Sequence, residues 1–502
     1  MSEENKSHGQ ILKSSSIIGG ASVINIVIGL FKIKVVAVLL GPAGIGLIGL
    51  LQNVMHLSSN VASMGVGTVG TRQVAEANAK KDQQAIASTR RALFLGTIIL
   101  AVIGAFLVWL IREPLAIIFL SDKDKSSWVG WLAIGVALTV ASGSQRALLN
   151  GMRRIGDLAK LSIYSSVFAT ILGIAAVWFW QEKGLLFFVI SVPLATFLLG
   201  HFYVNKIPKV EINSISLLEL KKQWNVLIRL GFAFMLAGLS ITFGQLAVRT
   251  LVQGKLGFEA LGLFESSWVI SMTYIGFVLS AMGTDYYPRL TKVIDNHSAT
   301  IRLVNEQTEV ALLLSGPILL GMLTFSPWVL TLLYSSEFSQ AAQILRWQIL
   351  GDILKIMSWP LAFIMLASGA GKTYVLVESL GVVVFFFVTW SCIEYFKVEA
   401  TGIGFLSMYI IYLTTVYFLA NRRIGFKWSM TVLKYGIILI TSAVLLIITS
   451  MYNELFGLIL GLIFTAYISI KNLRLIVAMS GNKAIVRKID KIISKLNFQR
   501  PK

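Results

Sequence analysis

The chain is 502 residues long, 56% hydrophobic and only 14% charged, with a mean hydropathy of +0.77. A soluble domain would not expose that much apolar surface, so an integral membrane protein is implied. The net charge of +20 would suggest nucleic acid if the basic residues shared one soluble face, but they fall between apolar runs, and the solitary Cys392 excludes an internal disulfide and a stapled extracellular domain.

The polar start MSEENKSHGQILK leads into an apolar run too long for a signal peptide and without a small-residue cleavage site, so no removed leader is expected. Crossing about 30 Å of hydrocarbon takes roughly 20 residues as a helix. Fourteen runs qualify: 15–40, 44–69, 90–111, 128–149, 158–180, 184–204, 224–251, 260–284, 306–333, 341–368, 374–396, 400–420, 431–450 and 454–470. They are continuously apolar, whereas barrel strands would alternate and be half as long, so the spans are helices. Most of the 44 Lys and Arg lie in the N-terminus, in the loops from even to odd spans and in the C-terminal tail. That asymmetry predicts cytoplasmic termini, with TRQVAEANAKKDQQAIASTRR, GMRRIGDLAK, NKIPKVEINSISLLELKK and NRRIGFKW as the basic inner loops. Trp109, Trp128, Trp131, Trp178 and Trp180 then fall at the outer interface, where amphipathic rings settle. The outer loops are short, and no soluble catalytic domain fits between the spans.

Residues compared with those about 216 to 218 positions later show a repeat. LGPAGIGL (40–47) aligns with LGFEALGL (256–263), Trp131 and Gly135 with Trp347 and Gly351, and Arg72 with Arg289. Six is an even number, so spans 1–6 and 7–12 are copies in the same orientation. The expected fold is an all-α polytopic membrane protein: two pseudo-symmetric six-helix bundles around a central cavity plus two C-terminal transmembrane helices. The expected domains are a lobe at 1–204, a cytoplasmic linker at 205–223, a second lobe at 224–420, two further helices within 421–470 and a basic cytoplasmic tail at 471–502.

Several spans carry polar stripes at helical spacing. Gln348, Asp352, Lys355 and Trp359 form one in span 10; Ser22, Asn25, Gly29 and Lys32 another in span 1. Gln52, His56, Ser59 and Ser63 share a face of span 2, and Thr242, Gln245 and Arg249 a face of span 7. Facing lipid, each charge would cost about 2.5 to 3.5 kcal/mol even on the lenient insertion scale, so the stripes face protein or water. The plainer alternative is that Asp352 and Lys355 pair and lock the bundle. Lys34 lies two residues from Lys32 and points to the opposite side; near a span end it and Arg249 can snorkel. His56 reads better as a packing residue than as a proton carrier. SGAGKT (368–373) lacks the first glycine and the preceding strand of a phosphate-binding loop and is read as a tight turn.

Lys34 followed after six residues by GPAGIGL, YPRL (287–290) and WQILGDILK (347–355) carry a resemblance to a known family. The chain resembles the polysaccharide-type flippases, the O-antigen and enterobacterial common antigen translocases of the multidrug/oligosaccharidyl-lipid/polysaccharide exporter superfamily, over roughly residues 12–420. The resemblance implies two six-helix lobes around a cationic cavity, open alternately to either side. It implies transport of an undecaprenyl-pyrophosphate-linked oligosaccharide from the cytoplasmic to the periplasmic leaflet of the bacterial inner membrane. The family core is twelve helices; residues 431–470 and the tail are additions similar to those of the fourteen-helix lipid II flippases. A diphosphate is prohibitively costly in hydrocarbon, so a wet groove with cations must shelter it while the prenyl tail stays in lipid. Lys32, Arg249 and Lys355 are the expected phosphate partners, and Lys34 joins them because it matches the family motif. Asn25, Gln52, Gln245 and Trp359 are expected to meet sugar hydroxyls and ring faces, and Gln145 and Arg146 to meet the substrate first or anchor span 4 at the headgroups. Asp352 is expected to hold Lys355 or exchange it for a coupling proton or sodium ion. No cofactor, metal or ATP site is expected. The bilayer, a polysaccharide polymerase and a chain-length regulator are the expected partners, and the protein itself a monomer. A drug or organic-cation antiporter would prefer carboxylates in its cleft, and a membrane polymerase or acyltransferase would need catalytic groups near a sizeable outer loop.

Overall fold

The computed structural model describes residues 3–207 and 217–479. Among them there is no strand; the helices are α1 (Glu3–Ser63), α2 (Val66–Ala79), α3 (Gln83–Leu110), the single turn α4 (Arg112–Leu115), α5 (Ser126–Gly151), α6 (Ile155–Trp180), α7 (Leu185–Asn205), α8 (Leu217–Val293), α9 (His297–Leu333), α10 (Ala341–Ala367), α11 (Gly371–Phe396), α12 (Ala400–Ile424), α13 (Met430–Tyr452) and α14 (Glu454–Met479). The body of every apolar run is helical. α1 contains spans 1 and 2, α8 contains spans 7 and 8, and ten further helices hold one span each. Large apolar side chains such as Phe106, Phe179 and Leu332 are exposed on the outside. Such a surface is stable only against acyl chains, and the protein is a multi-pass, all-α membrane protein.

Two details differ from the sequence reading. The segment after span 2, expected as a basic loop, is the amphipathic helix α2, which starts after a left-handed turn at Met64 and Gly65. It is helical because Val66, Val69 and Val74 repeat at helical spacing and are buried against Leu93, Leu148 and Leu149. The linker expected at 205–223 is helical from Leu217; residues 208–216, and the tail from 480 onward, lie outside the described residues.

α1 and α8 are each interrupted by one glycine. Gly41 has φ 61° and ψ −166°, and Gly257 has φ 84° and ψ −178°. That region of backbone space is essentially closed to residues with a Cβ. The two glycines are aligned in the sequence repeat, and so are the contacts beyond them. A Cβ on Gly46 would collide with the Phe258 carbonyl, and one on Gly262 with the Pro42 carbonyl. At the repeat offset 46 pairs with 262 and 42 with 258, so the two contacts exchange under a local twofold axis, as in an isologous interface.

The chain divides into two compact units: residues 1–266 with 331–338 and 392–398, and residues 267–330, 339–391 and 399–502. The division within α8 falls between Ser266 and Ser267, which keeps span 7 in the first unit. Trp224 donates its indole N–H to the Ala92 carbonyl at 3.0 Å, Gly231 lies against Met64 and Gly65 too closely for any side chain, and Asn60 donates to Thr242 at 3.3 Å. Span 7 thus packs along spans 2 and 3. The core of the first unit holds Leu93, Leu148, Leu161, Tyr203 and Leu227. That of the second holds Tyr286, Leu290, Leu361, Tyr412 and Phe426.

Candidate functional site

In the first unit the stripes of spans 2 and 7 converge on a cavity of about 300 Å³ whose lining includes Ser59, Asn60, Ser63, Thr97, Thr139 and Thr242. Glycines at 65, 67, 143 and 238 complete much of the wall, leaving room that side chains would fill. None of the described residues that line it is charged. Thr242 accepts from the Asn60 amide and donates to the Gly238 carbonyl at 3.1 Å, whereas the buried Ser59 hydroxyl has no hydrogen-bond partner. A neutral pocket of hydroxyls, an amide and bare backbone suits the alternating donors and acceptors of a sugar better than a diphosphate. Gln52 and Gln245, on the same helical faces, are half-buried, and His56 is exposed.

Within the first unit Lys32, Lys34 and Arg249 each make different contacts. Arg249 is buried and bound in a two-pronged ion pair with Glu265, Nε to Oε1 at 2.5 Å and Nη2 to Oε2 at 3.2 Å. Its Nη1 donates to the Gln245 carbonyl at 3.1 Å. A carboxylate one span away thus neutralises Arg249, the expected phosphate partner on span 7. Gly49 makes the pair possible, since a Cβ there would overlap the Glu265 carboxyl group. Lys32 lies with Nζ 3.9 Å from the centre of the Phe188 ring of α7. Two turns earlier, Asn25 donates to Ser162 of α6 at 2.7 Å, and its carbonyl oxygen is buried without a partner. Lys34 diverges from Lys32, as their spacing requires, and donates to the Thr331 carbonyl at 3.1 Å.

The second unit contains the other charged group. Asp352 is completely buried; its Oδ2 accepts from Ser271 at 2.7 Å and from Tyr274 at 2.5 Å, and its Oδ1 has no partner. Among the described residues Asp352 and Lys355 form no ion pair, which corrects the expectation that they hold each other directly. They sit three residues apart, but the carboxylate is turned to α8 hydroxyls, and Lys355 Nζ rests 3.2 Å from Met272 Sδ and 5.6 Å from the Tyr409 ring centre. Gln348, one turn before Asp352, is wholly buried with both amide atoms unpartnered. Trp359 is packed between Tyr286 and Phe363, with ring centres 5.8 and 4.5 Å away, and against Gly283. Trp359, expected to meet a sugar ring, is half-buried in this aromatic cluster.

The sequence reading missed Glu265, Glu378 and the tyrosines. Glu378 accepts from Tyr412 at 2.6 Å. A signal existed, since Glu265 and Glu378 are lone carboxylates within apolar spans and such residues are costly unless paired. Their partners lie on other spans, Arg249 on span 7 and Tyr412 on span 12, and had no sequence signature.

The polytopic bundle with glycine-kinked helices and buried polar groups is a fold shared with solved structures. The chain superimposes on a lipid II flippase, MurJ in an inward closed conformation, with a TM-score of 0.69 at 10% identity, covering 93% of this chain and 99% of that one. An inward-facing multidrug resistance MATE family transporter of the MOP superfamily gives a TM-score of 0.66 at 15% identity, covering 80% of this chain and 98% of that one. Residues 35–343 match the polysaccharide biosynthesis protein family, and the chain belongs to that family. A curated relative, the lipid III flippase of Escherichia coli (strain K12), is 21% identical over 429 residues, which cover 82% of this chain and 99% of the relative.

Proposed function

We propose that the protein is a flippase that carries a lipid-linked oligosaccharide, an undecaprenyl-pyrophosphate-linked repeat unit of the O-antigen type, from the cytoplasmic to the periplasmic leaflet of the bacterial inner membrane. The observation that carries this reading is the uncharged, hydroxyl-rich cavity on spans 2, 3, 4 and 7, within a chain of the polysaccharide biosynthesis protein family. The cavity offers the sugar what water offered it, while the prenyl chain remains in lipid. Lys32 and Lys34, which lack a carboxylate partner among the described residues, are the proposed diphosphate contacts, with Lys355 a third. Asp352, with one unpartnered oxygen beside two hydroxyls, is the proposed seat of a coupling proton or sodium ion. Outward movement of net negative charge also gains about 2.3 kcal/mol per charge per 100 mV from a cytoplasm-negative potential. Alternating access moves the substrate and no bond is made or broken, so the protein is read as a transporter and not an enzyme.

A lipid II-type flippase is the second reading, favoured by the coverage of 93% of this chain by the lipid II flippase fold. Deleting the gene and tracing labelled lipid-linked intermediates separates the two. A block in the proposed function accumulates oligosaccharide-lipid facing the cytoplasm with cell-wall synthesis intact. Accumulated lipid II instead supports the second reading, and export of single units that fail to polymerise overturns both.

A further inference from the structure

We infer that the first unit carries a second, separate binding site, a groove between α3 and α7 floored by α5 that holds the headgroup of an anionic phospholipid. The groove encloses about 500 Å³, within the range of roughly 300 to 1,000 Å³ typical of ligand pockets. Its polar lining includes Arg90 and Arg91 of α3, Gln145 of α5 and His201 and Asn205 of α7, with no acidic residue among the described ones. Neither arginine has a carboxylate partner among the described residues. Arg90 makes one long bond, 3.5 Å to the Val204 carbonyl, which aims its guanidinium across the groove and leaves other N–H groups free. Gln145 is only 7% exposed, and its side-chain carbonyl has no partner although it lines the groove. Gly200 of α7 gives it room, since a Cβ there would overlap the amide.

The apolar half of the wall separates a lipid from a free anion. Ile86, Leu93, Phe94, Leu148 and Met152 line it, and Phe94, Leu198 and Phe202 are more than half exposed on the surface that flanks the mouth. These side chains suit the glycerol and first methylenes of an acyl chain, and the arginines suit the phosphodiester, for which planar guanidinium groups are matched donors. The groove is at the end of α3 next to Lys80 and Lys81, in the basic segment that favours anionic lipid headgroups. It shares no lining residue with the hydroxyl-rich cavity.

The test is lipid retention by the purified full-length protein, read by native mass spectrometry and by the rise in melting temperature on adding phosphatidylglycerol, phosphatidylcholine or inorganic phosphate. Wild type is expected to retain phosphatidylglycerol and not phosphatidylcholine. Arg91→Gln, at an exposed position that leaves the fold intact, and Arg90→Gln are each expected to lower that retention at least about fivefold. Lys80→Gln, which removes the same charge at the same end outside the groove, is expected to retain lipid as wild type does. Equal retention of both lipids, undiminished retention in both arginine variants, an equal loss in Lys80→Gln, or an equal response to inorganic phosphate would each overturn the assignment.

Discussion

Asp352 and Arg249 show how one burial argument leads to two different roles. Both are intramembrane charges, but Arg249 has its compensation complete in Glu265, whereas Asp352 keeps one oxygen unpartnered. Removing one member of a buried pair leaves the other charge stranded and costs about 3 to 5 kcal/mol, while replacing both by apolar groups is often neutral. Arg249→Leu and Glu265→Leu are therefore expected each to lower thermal stability and transport severely, and the double variant to recover most of both, as melting curves and flipping assays in proteoliposomes would record. Failure of the stable double variant to transport would return Arg249 to substrate contact. Asp352→Asn keeps an acceptor for Ser271 and Tyr274 but no charge. It is expected to preserve folding and to abolish the dependence of transport on an imposed ion gradient; an unchanged dependence in proteoliposomes removes Asp352 from coupling.

At the scale of elements, the crossing of α1 and α8 is set by glycine. Gly41 and Gly257 turn each helix through a backbone conformation closed to other residues, and Gly46 and Gly262 let each helix approach a backbone carbonyl of the other. Gly41→Ala is expected to destabilise the protein by about 1 to 3 kcal/mol through backbone strain alone. Gly262→Leu must push α1 and α8 apart, because the obstacle is the Pro42 backbone, which cannot rotate away. Folded protein with transport lost is the expected outcome, and distance measurements between spin labels on the two helices should show the separation. The aligned motifs LGPAGIGL and LGFEALGL made the crossing legible as a repeat, but that the copies touch each other was not legible, since an offset in sequence says nothing about contact.

For the whole molecule, the distribution of Lys and Arg sets the orientation to be tested. With Cys392 replaced by Ser, single cysteines at Lys123 and at Lys81 are expected to react with a membrane-impermeant thiol reagent from opposite sides, Lys123 from outside intact cells. Labelling of Lys81 from outside would reverse the proposed direction of transport. The fold class was readable at this scale because hydrocarbon admits few solutions: long apolar runs must be helices, and fourteen of them make a bundle. The compact units were not, because span 7 joins the first six through Trp224, Gly231 and Thr242, contacts between residues more than a hundred positions apart.

The sequence by itself determined the solvent, the helices, the duplication and which helical faces had to avoid lipid, since each follows from hydropathy and spacing along the chain. Only the tertiary structure decided which charges are already matched, because pairing depends on rotamers and on neighbours from other helices. Thus Arg249 found Glu265, Asp352 turned to Ser271 and Tyr274 instead of Lys355, and Trp359 packed among aromatic rings. The hydroxyl-rich cavity came from both: its stripes were written in spans 2 and 7, and packing brought them together.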